Sequence, residues 1–393
     1  MRRLEPEGAL RVTCVPSAQR FAGLRGEWEQ LVDAGTTSVF NRWAWLYPWW
    51  QRLHPDWEPW ILESRDATGA LRGLLALGRH AVRVGGVPVR RLALLGEDAV
   101  GSDYLDVISR PGEEAVVGGL FGAWLLAHAS EWDVLELQDV EVGSTAMGAL
   151  VSSLPAEWLR GRWPRFTCPV RTFMPGEGFD TFLLRTARRD NFLRRRKWWG
   201  KQPGFELRIT TAPGALAGPL ASFFELHERR WASDGGSQGI RGPHVEAFHR
   251  DATWLLAGDG RLRLSTLEVE GRAVAAVYGI VDRGTFHYYQ GGYAPEWAGK
   301  SVGLVLVGET FRDALALGCS RYDFLRGTEP YKRDWVDAER HTEAWRVLSP
   351  GMAGRLFHAS WNAQRAARTW VKAVLPRRVT GIIQGRRRRA AVA

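Results

Sequence analysis

The chain has 393 residues, 45% of them hydrophobic and 24% charged, which is enough for two domains of ordinary size and reads as a soluble globular protein. Cys14, Cys168 and Cys319 are too few and too far apart for a disulfide framework, no run reaches the roughly 18 apolar residues of a membrane span, and MRRLEPEGAL lacks the apolar stretch of a signal peptide, so a cytoplasmic protein is expected. The net charge of +10 comes from two segments, residues 185–201 and 372–389, each worth +7, so the rest of the chain carries −4 and an anionic partner should meet those patches alone.

Residues 9–16 alternate like a strand and 18–33 follow with helical spacing. NRWAWLYPWW (41–50) gathers four of the twenty Trp, either as a buried helix flank or as an aromatic wall for a sugar or acyl chain. Three strand-like runs come next, at WEPWILES, LRGLLALGRH and VPVRRLALLG, then a helix at 115–130 and a strand at 132–140. The second half repeats that order. FELRIT is a strand, 220–231 and 242–258 are helices, and strands recur at RLRLSTLEVE, AVAAVYGIV and TFHYYQGGY before a helix at 302–318 and the strand RYDFL. Phe311 and Asp323 lie 190 residues after Phe121 and Asp133, and Gly291, Gly308, Val307 and Leu315 share that offset with Gly101, Gly118, Val117 and Leu125 without a gap. A duplicated α/β unit is expected, divided near residues 150–180.

The copies differ at one helix start. Gln290 and Gly291 end a strand, and Gly299, Lys300, Ser301, Val302 and Gly303 lead into a helix, so small residues and a helix N-terminus form a cradle for phosphates. The first copy has Pro111, Gly112, Glu113 and Glu114 at the matching place, and its carboxylates would repel an anion. GKS (299–301) is not a nucleotide-hydrolysing P-loop, because position 294 is Ala where that motif needs Gly. No Cys or His cluster has metal-ligand spacing; His244 and His249 are five apart.

Together RRDNFLRRRKWWGKQPG, LHERRW, GRAVAAVYGIVDRGTFHYYQGGYAP, SVGLVLVGETFRDALALGC and YDFLRGTEPYKRDW make the second half similar to the GNAT (acyl-CoA N-acyltransferase) superfamily. More narrowly, they resemble its duplicated branch, which holds the cellulose-biosynthesis-type acetyltransferase domain and is related to the Fem peptidyltransferases. The resemblance implies an α/β fold of two tandem GNAT-like modules, each a mixed, mostly antiparallel sheet flanked by helices. The expected divisions are a degenerate module at 1–165, an acyl-donor-binding module at 166–350, and a basic amphipathic tail at 351–393. It also implies a donor arm lying where the QGGY and YDFL strands part, with acetyl-CoA or another acyl-CoA as co-substrate, an amine as acceptor and no metal.

Acyl transfer to an amine needs a proton acceptor, an oxyanion donor and an acid for the departing thiolate. Glu329, just past a strand end, is the candidate base or ammonium anchor, and Asp323 is a further catalytic candidate. By the resemblance, Tyr331 is the thiolate-protonating acid, while Lys332 would clamp a carboxylate or phosphate of substrate. His227, Arg230 and Trp231 share a helix face that would line the acceptor pocket, with His227 as a base, and the loop 233–242 is a candidate lid. Two other readings stay open. Fem-type relatives take an aminoacyl group from tRNA, and RRRKWWGK interleaves cations and aromatics as an RNA surface does; a non-catalytic polysaccharide-assembly role is the other. DNA is not expected as a partner, and the tail, with Phe357 and Trp361 in its apolar stripe, either lies on an acidic membrane surface or docks on the body.

Overall fold

Alternating and apolar runs become strands, and the segments of helical period are laid against them. The computed structural model describes residues 10–97, 100–232 and 240–374, with side chains as far as 363. The first half runs β1 (Arg11–Val15), α1 (Ala18–Gly23), α2 (Arg25–Ala34), α3 (Trp43–Leu53), β2 (Glu58–Arg65), β3 (Leu71–Val84), β4 (Val87–Leu94), β5 (Ile108–Ser109), α4 (Glu114–Ala127), β6 (Val134–Glu141), α5 (Thr145–Ser152) and β7 (Arg160–Thr172). The second runs α6 (Phe179–Leu184), α7 (Arg189–Trp199), β8 (Glu206–Thr210), α8 (Ala217–Trp231), α9 (Pro243–Gly258), β9 (Leu262–Val269), β10 (Arg272–Asp282) and β11 (Thr285–Tyr293). It ends with α10 (Val302–Ala316), β12 (Arg321–Asp323), α11 (Pro330–Arg333), β13 (Ala338–Leu348) and α12 (Met352–Val374).

One mixed, mostly antiparallel sheet contains all the strands, in the order β1-β2-β3-β4-β6-β13-β7-β12-β11-β10-β9-β8, with β5 beside β3. The order reads as the same unit from either edge. Its centre is an exchange: β13, last in the chain, pairs with β6 of the first half, while β7 pairs with β12 of the second. β7 and β13 also pair with each other, so each half completes the other's sheet. The boundary expected at 165/166 falls inside β7.

The single 190-residue register does not hold. The equivalent parallel pairs begin at Arg91/Val134 and at Thr285/Arg321, which are offsets of 194 and 187. The reason is a long connection from β4 to α4 against a short one from β11 to α10, so Gly101 lies in a loop while Gly291 lies in β11.

α3 settles the Trp-rich segment as core. Trp43, Trp45, Trp49 and Trp50 are all buried, and three indole N–H groups find partners inside, Trp43 at the Phe21 carbonyl (3.0 Å), Trp45 at the Ser102 hydroxyl (2.8 Å) and Trp50 at the Trp57 carbonyl (2.7 Å). A second core stacks Phe311 on Tyr322 (3.9 Å between ring centres), Phe182 (4.9 Å) and Trp335 (5.0 Å). Between the halves, Arg326 pairs with Asp103 (2.8 Å) and Asp139 (3.0 Å), and Arg42 with Asp282 (2.7 Å), so buried charges fix how the two units meet. The first turns of α12 dock on the body, with Phe357 and Trp361 about the Arg346 guanidinium and Trp361 against Trp163. The side chains of Arg365, Arg368 and Lys372 and the tail to Arg389 lie outside the described residues, as does most of the loop expected as a lid. Among the described residues no helix is long and apolar enough to cross a membrane.

Candidate active site

β11 and β12 pair in parallel over three residues only, ending at His287 opposite Asp323. Beyond that point β11 continues to Tyr293 still paired to β10, while the other chain turns away at Leu325, whose φ is +54°. The strands therefore part, and the backbone groups on that edge of β11 are left without a strand partner. A bulge at Tyr289 shifts the β10 register just there, between Tyr278/Gln290 and Gly279/Tyr288, which re-aims the strand at the opening.

A cavity of about 280 Å³ fills the gap. Its walls are β11 from Tyr288 to Tyr293, the start of α10 at Ser301, Val302 and Gly303, and the segment that carries Glu329 and Tyr331. Two glycines make it possible. A Cβ on Gly291 would stand 2.1 Å from the Tyr288 hydroxyl, and one on Gly292 would stand 2.4 Å from the backbone nitrogen of His227, so only bare backbone lets α8 pack under the strand.

The start of α10 suits an anion. Ser301 occupies the left-handed region (φ +56°), no side chain caps the helix, and its first turn holds no acid. Cations surround the mouth. Arg188 and Asn191 from α7 and Arg230 from α8 line the cavity; Arg230 lies over Trp231 (4.8 Å) and Tyr293 (5.2 Å). Lys300 stands over Trp198 (4.9 Å), and its carbonyl accepts from the Trp199 indole (3.1 Å), which fastens the arginine-rich α7 to the loop.

Tyr331 and Tyr288 both line the cavity, near enough for each phenol to act on the other. Burial pushes the Tyr288 phenol up to about 12 and holds Tyr331 well above the ordinary value, so both keep their protons at neutral pH. Both are proton donors rather than bases.

Gln290, Gly291, Ser301, Val302, Gly303, Arg230, Trp231, Glu329 and Tyr331 thus come together as the sequence reading expects. Gly299 and Lys300 sit in the turn before α10, outside the cavity lining. Three expected roles need correction. Asp323 is fully buried outside the cavity, where it accepts from the Leu325 N–H (2.8 Å) and Tyr104 (3.1 Å) and pairs with Arg340 (3.2 Å); it holds the turn that opens the gap. His227 is buried beneath β11 with Gln290 acting on its ring, and burial drives its imidazole down to about 4, so it stays neutral and does not face the cavity. Lys332 borders the cavity, but its ammonium donates to the carbonyls of Phe324 (3.2 Å), Arg326 (3.0 Å) and Gly327 (3.2 Å) and lies 2.9 Å from Glu329. All its donors are occupied, so it braces the turn and offers a substrate nothing. Sequence reasoning missed Tyr288, Arg188 and Asn191; in the sequence nothing sets Tyr288 apart from its neighbour Tyr289.

Comparison with known proteins agrees with this geometry. Residues 186–333 match the family model described as the acetyltransferase (GNAT) domain. FemX superposes over 86% of this chain and 98% of its own, with 13% identity and a TM-score of 0.58. L-PGS from Bacillus licheniformis does so over 87% and 95%, with 12% identity and a TM-score of 0.53. The second half carries a match to the GNAT domain, and the chain as a whole shares the fold of FemX. No curated protein sequence matches it. At these identities the structural likeness establishes the GNAT architecture, and the reaction must be argued from the cavity.

Proposed function

We propose that the second half binds an acyl-CoA thioester in the cavity between β11 and β12 and passes its acyl group to an amine. The observation that carries this reading is the parting of the two strands beside an uncapped, acid-free helix start. The open edge of β11 supplies N–H groups for a thioester carbonyl and its oxyanion, and the start of α10 receives phosphate. Attack by the amine nitrogen forms the C–N bond, the C–S bond breaks, Glu329 takes the proton lost from nitrogen, and Tyr331 gives its proton to the leaving thiolate. Tyr288, which acts on Tyr331 from within the same cavity, helps orient that hydroxyl. No covalent enzyme intermediate is required.

A second reading rests on α7. Arg189, Arg194 and Lys197 are exposed on the helix that borders the mouth, a surface suited to a longer polyanion such as an aminoacyl-tRNA. Two measurements separate the readings. Acetyl-CoA and CoA at micromolar concentration should raise the melting temperature, and a screen of amines against several acyl-CoAs should release free thiol only with the right acceptor. Absence of any CoA effect together with salt-sensitive tRNA binding would replace the first reading with the second.

A further inference from the structure

A second cavity, of about 480 Å³, lies where loops of the first half meet the β10–β11 turn, and it shares no lining residue with the first. Its first-half wall carries Thr37, Asp106, Glu114 and Glu141, and its second-half wall carries Arg283, His287, Arg321 and Arg340. The acidic wall is built to shape. The Asn41 carboxamide oxygen accepts the Asp106 N–H (2.8 Å), and the Ser144 hydroxyl, which caps α5, donates to the Asp106 carboxylate (2.8 Å).

Most of the charges here are already committed. Arg340 pairs with Glu141 and Asp323, and Arg283 donates to the carbonyls of Val32 and Gly35 and pairs with Asp282. Arg321 is exposed and, among the described residues, makes no ion pair or side-chain hydrogen bond; across the cavity, Glu114 makes none with them either. Burial pushes the Asp106 carboxyl up to about 7, and the nearby Glu141 and Glu114 add to the push, so this wall is short of positive charge. His287 is 4% exposed, and among the described residues its Nδ1 has no hydrogen-bond partner; the buried Thr37 hydroxyl has none there either. Buried polar atoms normally find partners.

We infer that this cavity binds a small zwitterion, an amino acid or short peptide, with its ammonium at Asp106 and Glu114 and its carboxylate at Arg321. His287 Nδ1 and the Thr37 hydroxyl supply the remaining hydrogen bonds, and the ligand bridges the two halves. The site stands apart from the donor cavity, so the inference does not depend on acyl transfer.

Isothermal titration of the full chain tests it, using the twenty proteinogenic amino acids, glycylglycine and alanylalanine as probes, each up to about 10 mM, above which binding carries little specificity. At least one probe should bind wild type. Arg321→Gln and Glu114→Gln, which break no existing contact and should melt where wild type does, should each weaken it by about tenfold or more. The N-acetylated amide of the same probe, which lacks both charges, should not bind. Failure of every probe, survival of binding in both variants, or equal binding of the blocked analogue would overturn the inference.

Discussion

The start of α4 and the start of α10 hold equivalent places, each following a strand that pairs in parallel for three residues and then leaves its neighbour. At α4 the chain itself bonds across the parted strands. Leu105 donates to the Asp139 carbonyl (3.1 Å), Tyr289 from the other half reaches the Val100 carbonyl, and Arg326 spans Asp103 and Asp139. Glu113 and Glu114 begin that helix, Glu113 being held by Arg72. At α10 the opening is kept clear, the first turn carries no acid, and cations ring the mouth. One copy of a duplicated unit has become the buttress on which the other keeps a hole open.

The sharpest way to break that contrast is to give the second helix the first one's charge. Gly303→Glu has room at its Cβ, which would meet the Tyr293 ring at 3.5 Å, so the fold should survive. Like charge facing the donor's phosphates should weaken CoA binding about 1,000-fold, read by titration. Removing the brace under the opening comes next. Lys332→Met leaves three carbonyls without their donor and should cost about 3 kcal/mol in urea unfolding, which a substrate-clamping lysine would not.

At the seam, burial raises Asp323 to about 6, above the roughly 3.9 of an unfolded chain, so the native state keeps a proton that the unfolded state has lost. Relative to Asp323→Asn, wild type should therefore lose about 2 kcal/mol as pH rises from 4 to 6, measured by denaturation at each pH. Tyr331→Phe should lower kcat about tenfold or more with donor binding unchanged; an equal fall in donor affinity would make the phenol a binding group instead. The smallest effect belongs to the first half. Glu113→Gln leaves the partly exposed Arg72 its Asp66 partner, should cost less than about 1 kcal/mol, and should create no CoA binding, because Glu114 still heads that helix.

Much of this contrast was legible in the sequence, since the acids at 113 and 114 and the small residues at 299–303 are local features, and local spacing also places most strands and helices. What the sequence hid was long-range. The β7/β13 exchange depends on which strand reaches which edge, and no periodicity carries that. Asp323 and Lys332 looked like site residues because they sit beside Glu329 in the chain; burial decided otherwise, giving one to Arg340 and the other to three carbonyls. His227 was misread for the same reason, as its helix face turns toward Gly292 and the underside of β11. Tyr288 lay in plain view, but only Tyr331, far along the chain past α10 and β12, marks it as part of the site.

Hydrogen–deuterium exchange with and without CoA tests the central claim most directly, because it reports both halves in one experiment. Slower exchange confined to residues 288–304 and the neighbouring segment 326–335, with residues 91–117 unchanged, is the predicted result. Protection over 91–117, or none in either half at saturating CoA, would contradict it.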